Sequence, residues 1–240
     1  MNKTQNITIR MDASMAKVPM SAMRKTSLTA GLLYLLTFVS IPTLALYGPV
    51  HDSKYITGNG PDTDVIIGAI LEIIVALAGI STAVVLYPVL RKQHESAALG
   101  LVAARILESG TIFVGVAFLL SVVTLRQAGS GADALVTGHA LAVLYDRIFL
   151  LGQSFMPAIC DLLIGFMLYK SRLVPRALCL IGIVGAVPLV AGYVAMLFGL
   201  IGQHSPLAGL SALLVAIFEF SLGIYLVVKG FKPSSITAIK

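Results

Sequence analysis

Residues 141–169 read LAVLYDRIFLLGQSFMPAICDLLIGFMLY, and this stretch decides what kind of molecule the chain makes. It is apolar enough to enter a bilayer, yet it holds Asp146, Arg147 and Asp161. As an α-helix at 1.5 Å per residue it is roughly 43 Å long, against a hydrocarbon core of about 30 Å. It must tilt, kink or protrude, and Pro157, which has no N–H to give, marks the expected kink. Arg147, Ser154 and Asp161 follow one another seven residues apart, so each falls within about 20° of the last around a regular helix. Asp146 and Gln153 run beside them. One side of this helix is therefore expected to be a polar stripe at membrane depth, covered by the other helices.

The rest of the chain has the same character. Of its 240 residues 58% are hydrophobic and only 12% charged, and the mean hydropathy is +0.94. Soluble domains carry about twice that share of charge. The net charge of +6 is no nucleic-acid signal, because the basic residues flank apolar runs and no aromatic-plus-basic patch accompanies them. The expected partner is the lipid bilayer, together with a small ion or small-molecule ligand. No sequence feature specifies an oligomer. Cys160 and Cys179 lie in or beside apolar runs and form no Cys-x-x-Cys pair, so a disulfide framework is not expected.

Outward from the fourth apolar run, five others can be marked. Residues 1–27 form a basic tail that resembles a signal-peptide n-region, but the run after it, Leu28 to Leu46, is long enough to span and is read as a retained first helix, bent near Pro42. The loop from Tyr47 to Thr63 is rich in Gly and Pro and holds His51, Asp52, Lys54 and Asp62. Further spans are expected at about Asp64–Leu90, Ala97–Leu125, Leu178–Ile201 and Leu207–Val228. In the fifth, Ala191, Ala195 and Gly199 recur every four residues and are expected to let a neighbouring backbone approach. Residues 28–229 thus read as one six-helix transmembrane domain, and 230–240 as a short basic tail.

Charge sets the orientation. The two tails and the second and fourth loops hold thirteen Lys and Arg; the first, third and fifth loops hold only Lys54 and Arg126. The excess of cations on cytoplasmic loops then places both termini in the cytoplasm. The fold class is all-α: an integral membrane six-helix bundle.

Seven ionisable residues fall inside these spans: Glu72, Arg105, Glu108, Asp146, Arg147, Asp161 and Glu219. Each costs at least about 2.5 kcal/mol at a helix centre, so all are expected to face protein rather than lipid. Depth along each span sorts them into an inner cluster (Arg105, Glu108, Asp161, Glu219) and an outer one (Glu72, Asp146, Arg147). Arg105 and Glu108 share a helix face at i,i+3. A structural account has the two arginines pairing with carboxylates to fix helix register. A functional account notes five acids against two arginines, the surplus a proton relay or cation path needs. His51, His139 and His204 lie on the predicted outer side and are weak candidates for a metal site if three loops converge. No His-Glu-x-x-His, Gly-x-Ser-x-Gly or phosphate-binding Gly loop is present, and no catalytic residue or cofactor is assigned.

Leu86-Tyr87-Pro88-Val89-Leu90-Arg91, Arg105-Ile106-Leu107-Glu108, the turn from Tyr169 to Arg176 with its Leu173-Val174-Pro175, and Lys229-Gly230-Phe231 carry a resemblance. From about Arg24 onward the chain resembles a bacterial membrane family known as domain of unknown function 4386. The resemblance implies a bacterial inner-membrane location and a multi-helix fold, and carries over no activity, substrate or catalytic residue. The leading expectation is a membrane protein with a buried acidic and arginine core, on the pattern of a small transporter. The rivals are an intramembrane metal-dependent enzyme using the outer histidines or the core acids, and a helical subunit of a membrane complex.

Overall fold

The computed structural model describes residues 20–52, 54–58 and 61–233. Most of the expected N-terminal tail, and residues 234–240 of the C-terminal one, lie outside the described residues. Among the described residues there is no β-strand. The helices are α1 (Ala22–Thr37), α2 (Thr43–Leu46), α3 (Thr63–Leu90), α4 (Glu95–Gln127), α5 (Leu135–Phe149), α6 (Met156–Ser171), α7 (Arg176–Leu197) and α8 (Pro206–Val228). Five helical segments are long and apolar enough to cross a membrane: α3, α4, the continuous run Gly131–Ser171 that contains α5 and α6, α7 and α8.

The sixth expected span is shorter. α1 begins at Ala22, inside the stretch read as tail, because the Ser21 hydroxyl accepts the Arg24 N–H at 3.2 Å and caps it. It stops at Thr37 because Pro42 offers no N–H to the Phe38 carbonyl, and its ring would strike that carbonyl. The chain tightens into a 3₁₀ turn at Phe38–Ser40 and restarts as the short α2. At 16 residues α1 is about 24 Å long, less than the hydrocarbon thickness.

The long helices form a closed ring. α1 packs on α3, α3 on α4, α4 on α5 and α6, α6 on α7, α7 on α8, and α8 back on α1. The fourth run, expected to carry the covered polar stripe, is one member of the ring. Glycines set the closest crossings: a Cβ on Gly31 would lie 2.7 Å from the Gly223 carbonyl across α1 and α8. In α7 the close face is Gly182, Gly185 and Gly192, which meet Phe218, Leu214 and Ser211 of α8. The expected stripe at Ala191, Ala195 and Gly199 is not that face; Ala191 and Gly199 are exposed.

One end of the ring carries Arg24, Arg91, Lys170, Arg176 and Lys229 and is here the basic end; the other, with His51 and His204, is the histidine end. The basic end is closed by a packed apolar core including Leu86, Leu90, Leu101, Met167, Leu168 and Leu222, each at most 2% exposed. Arg172, at φ 56°, turns the chain so that Leu173 and Val174 tuck into this core. There the Leu173 carbonyl accepts the Lys232 N–H at 2.8 Å. That burial is the structural meaning of the Leu-Val-Pro turn.

Candidate functional site

The inner cluster forms as the depth argument requires. Arg105 is 4% exposed. Its Nη1 donates to both Glu108 oxygens, at 2.9 and 3.2 Å, and its Nη2 donates to Glu219 Oε1 on α8 at 2.6 Å. A planar fork with five donors serves two carboxylates at once. The Tyr34 ring of α1 lies 5.9 Å from the guanidinium carbon, and the Cys160 thiol donates to Glu108 Oε2 at 3.6 Å. Asp161 is fully buried, and neither of its oxygens meets a donor. The ionisable groups around it are Glu219, Arg105 and Glu108.

The outer cluster does not form. Glu72 is fully buried but takes neutral partners: Tyr145 Oη donates to Glu72 Oε1 at 2.8 Å and Gln153 Nε2 at 3.1 Å. The Tyr47 hydroxyl faces the same carboxyl, although neither it nor Glu72 Oε2 closes a well-aligned bond. Asp146 pairs with His51 instead, at 3.0 Å. Arg147 is exposed on the outside of the ring, which corrects its expected place in the buried core.

The reason is a π-helical segment, Leu150–Phe155, between α5 and α6. Pro157 cannot bond the Gln153 carbonyl and crowds it, so the chain takes the wider turn. Gly152 sits at this bulge against Thr111 of α4, where any Cβ would collide. A π-bulge inserts one residue into the helix and turns everything after it by about 100°. Added to the ordinary drift of about 40° over two heptads, it separates Arg147 from Asp161 by more than a third of a turn. The polar stripe is cut in two: its lower part faces in and Arg147 faces out.

At the histidine end, His51 Nδ1 lies 2.9 Å from the Tyr47 carbonyl oxygen and Nε2 3.0 Å from Asp146 Oδ1. Both neighbours are acceptors, so the ring satisfies both only as imidazolium. The Asp146 hydrogen bond raises the His51 pKa above the ordinary histidine value, against the opposing effect of burial, with the Tyr47 carbonyl adding to it. The His204 ring lies 5.9 Å from the His51 ring. His139 lines a separate small cavity with His51 and Asp52. Among the described residues, no three His, Cys, Asp or Glu side chains come together as a metal site. Asp62 and Arg126, which the sequence reading left apart, pair at 2.6 Å, and Arg126 lies over the Tyr55 ring. Burial disfavours the Asp62 charge, but Gln127, Tyr55 and Arg126 together hold its pKa below the usual value.

Three cavities link these groups. One of about 340 Å³ at the histidine end is lined by His51, Asp146, Tyr145 and His204. It shares Phe149, Gln203 and His204 with a second, of about 440 Å³. That cavity shares Gln153, Leu189 and Ala212 with a third, of about 230 Å³, whose wall includes Arg105, Glu108 and Glu219. Glu72 lies behind Tyr47, Tyr145 and Gln153, which line these cavities. The sequence reading named Gln153 only as a neighbour of the stripe and did not single out Tyr47 or Tyr145; aromatic hydroxyls near helix ends carry no signal that distinguishes a buried donor from an interfacial anchor.

Fold and site define a class: an all-helical, multi-pass membrane protein with an arginine-bridged acid cluster at the floor of a string of cavities. The chain belongs to the family described as domain of unknown function (DUF4386), whose model matches residues 29–230. No curated protein and no solved structure matches it.

Proposed function

We propose that the protein is a small proton- or cation-linked transporter of the bacterial inner membrane, with both termini cytoplasmic and the histidine end outside. One observation carries the reading: the linked cavities run from the histidine end to carboxylates that one arginine cannot neutralise. Beyond them the basic end is packed with apolar side chains, an arrangement that supports access from one side at a time. The thirteen-to-two cation asymmetry supports the orientation.

Purified protein in liposomes, driven by a pH gradient and read with an internal pH dye, tests the activity. Wild type is expected to dissipate the gradient faster than empty liposomes, and Glu219→Gln and Asp161→Asn to slow it, with Lys54→Ala unchanged. Wild-type liposomes as tight as empty ones overturn the reading. Lys54→Cys, in a chain lacking Cys160 and Cys179, is expected to label from outside the cell; labelling from the cytoplasm alone overturns the orientation.

The rival, an intramembrane metal-dependent enzyme, has His51, His204 and Asp146 on the wall of one cavity, but among the described residues no three such side chains come together as a metal site. Stoichiometric zinc in protein purified without chelator, lost in His204→Ala, supports that reading over transport.

A further inference from the structure

We infer that the cavity bounded by Glu219 binds a small organic ammonium, an amine cation with an apolar body, and that this cation and one proton compete for the same carboxylate. The inference rests on the transport reading and names its cargo.

The groups that face Glu219 are Tyr34 from α1, Arg105 and Glu108 from α4, and Cys160 and Asp161 from α6. α3 and α7 bring Val75, Gly79 and Leu189 to the same cavity, none of which ionises. Both terminal nitrogens of Arg105 are taken, Nη1 by Glu108 and Nη2 by Glu219 Oε1. Neither donates to Asp161, which is completely buried with both oxygens unpartnered. A fully buried carboxyl with no donor on either oxygen is held neutral by a proton of its own, because nothing would compensate its charge. With that proton in place the cluster has one guanidinium and two carboxylates, a net charge of −1. In a low-dielectric interior one uncompensated charge is costly, and it draws in one positive charge: a second proton, or a cation from the cavity.

The cavity wall selects the kind of cation. Glu219 lines it with 14% of its side chain accessible, against 5% for Arg105. The remaining wall is largely Phe38, Ile41, Val75, Ile112, Pro157 and Val215. The hydroxyls that also line it, Thr37, Ser40 and Ser109, each donate to a backbone carbonyl, and among the described residues no three His, Cys, Asp or Glu side chains gather as a metal site, whereas a bare metal cation requires a shell of oxygens around it. An ammonium needs only a carboxylate for its N–H groups, and an alkyl body gains from the apolar wall. The adjoining cavity of about 440 Å³ gives that body room. The exchange balances: an ammonium N–H···O bond forms at Glu219, the O–H bond of the second proton breaks, and the proton leaves towards the cavity. One cation enters for each proton released.

Calorimetric titration of the full chain in lipid nanodiscs with n-hexylammonium, in two buffers of different ionisation enthalpy, tests this. One hexylammonium per chain is expected, with about one proton released, tightening as pH rises from 6 to 8. Glu219→Gln is expected to weaken binding about tenfold or more, the loss of one charged hydrogen bond. Ala212→Phe, which fills the junction of the two cavities without changing a charge, is expected to weaken it comparably. It keeps the test decisive if Glu219→Gln fails to fold. Hexanoate binding as tightly as hexylammonium, sodium competing at equal concentration, or both variants binding like wild type overturns the inference. Proton flux without hexylammonium binding overturns this cargo and leaves the transport reading standing. Hexylammonium binding without any flux does the reverse.

Discussion

Glu108 and Glu72 are glutamates in the middle of two neighbouring apolar helices, and the protein handles them in opposite ways. Glu108 receives one guanidinium nitrogen on both its oxygens, while the other nitrogen reaches Glu219 on another helix. Glu72 receives a phenol and an amide, with a second phenol facing it, and no cation. A buried carboxyl needs donors, and donors come charged or neutral. The charged solution ties helices together through a network that fails when its centre is lost. The neutral one serves an ionised or a protonated carboxyl, and spreads the cost over several weak contacts.

The largest expected effect tests the charged solution. Arg105→Ala leaves Glu108 and Glu219 buried without their partner and is expected to cost about 3–5 kcal/mol, the range for breaking a buried pair. Arg105→Lys is expected to rescue part of this, since an ammonium cannot form the fork. Thermal unfolding in detergent reads both; an Arg105→Ala protein that melts like wild type breaks the comparison. Tyr145→Phe comes next. It removes one of the two donors on Glu72 Oε1 and is expected to cost about 1–3 kcal/mol, because Gln153 stays in place. Glu72→Gln is expected to cost under about 1 kcal/mol, since an uncharged side chain of the same shape retains the Tyr145 bond. A larger loss there than for Arg105→Ala inverts the argument.

The smallest effect concerns His51, where an acid is paired at the surface rather than buried. Its pKa in the folded protein is raised, so the stabilisation is fully present below the unfolded value of about 6.5 and is lost as pH rises through the higher folded value. Melting temperature followed from pH 6 to 9 is expected to fall over that window in wild type, and the His51-dependent part is expected to vanish in Asp146→Asn. The same slope in both proteins means that the His51–Asp146 pair carries no such stabilisation.

The pattern of hydrophobic runs and loop charges made the helical architecture legible, and the depth of Arg105, Glu108, Asp161 and Glu219 in their runs placed those four at one level. Depth is a local property: it follows from counting residues to the end of a helix at a fixed rise. Depth failed for Glu72, Asp146 and Arg147. They are level with one another in the count, but being level does not fix direction around the helix axis, and the register of Arg147 depends on a bulge that Pro157 and Gly152 create only when α4 packs beside it.

By itself, then, the sequence determined the apolar helices, the place where Pro157 disturbs the fourth run, and the level at which Arg105 meets Glu108 and Glu219. All of these follow from short-range rules of hydropathy, helix rise and proline geometry. The tertiary structure decided that α1 closes the ring on α8 at Gly31 and Gly223, that Glu72 is held by Tyr145 and Gln153 rather than by Arg147, that His51 reaches Asp146, and that three cavities with wall residues in common lie among them. These depend on rotation about helix axes and on neutral hydrogen-bond partners far apart in the chain, and neither leaves a periodic trace in an apolar sequence.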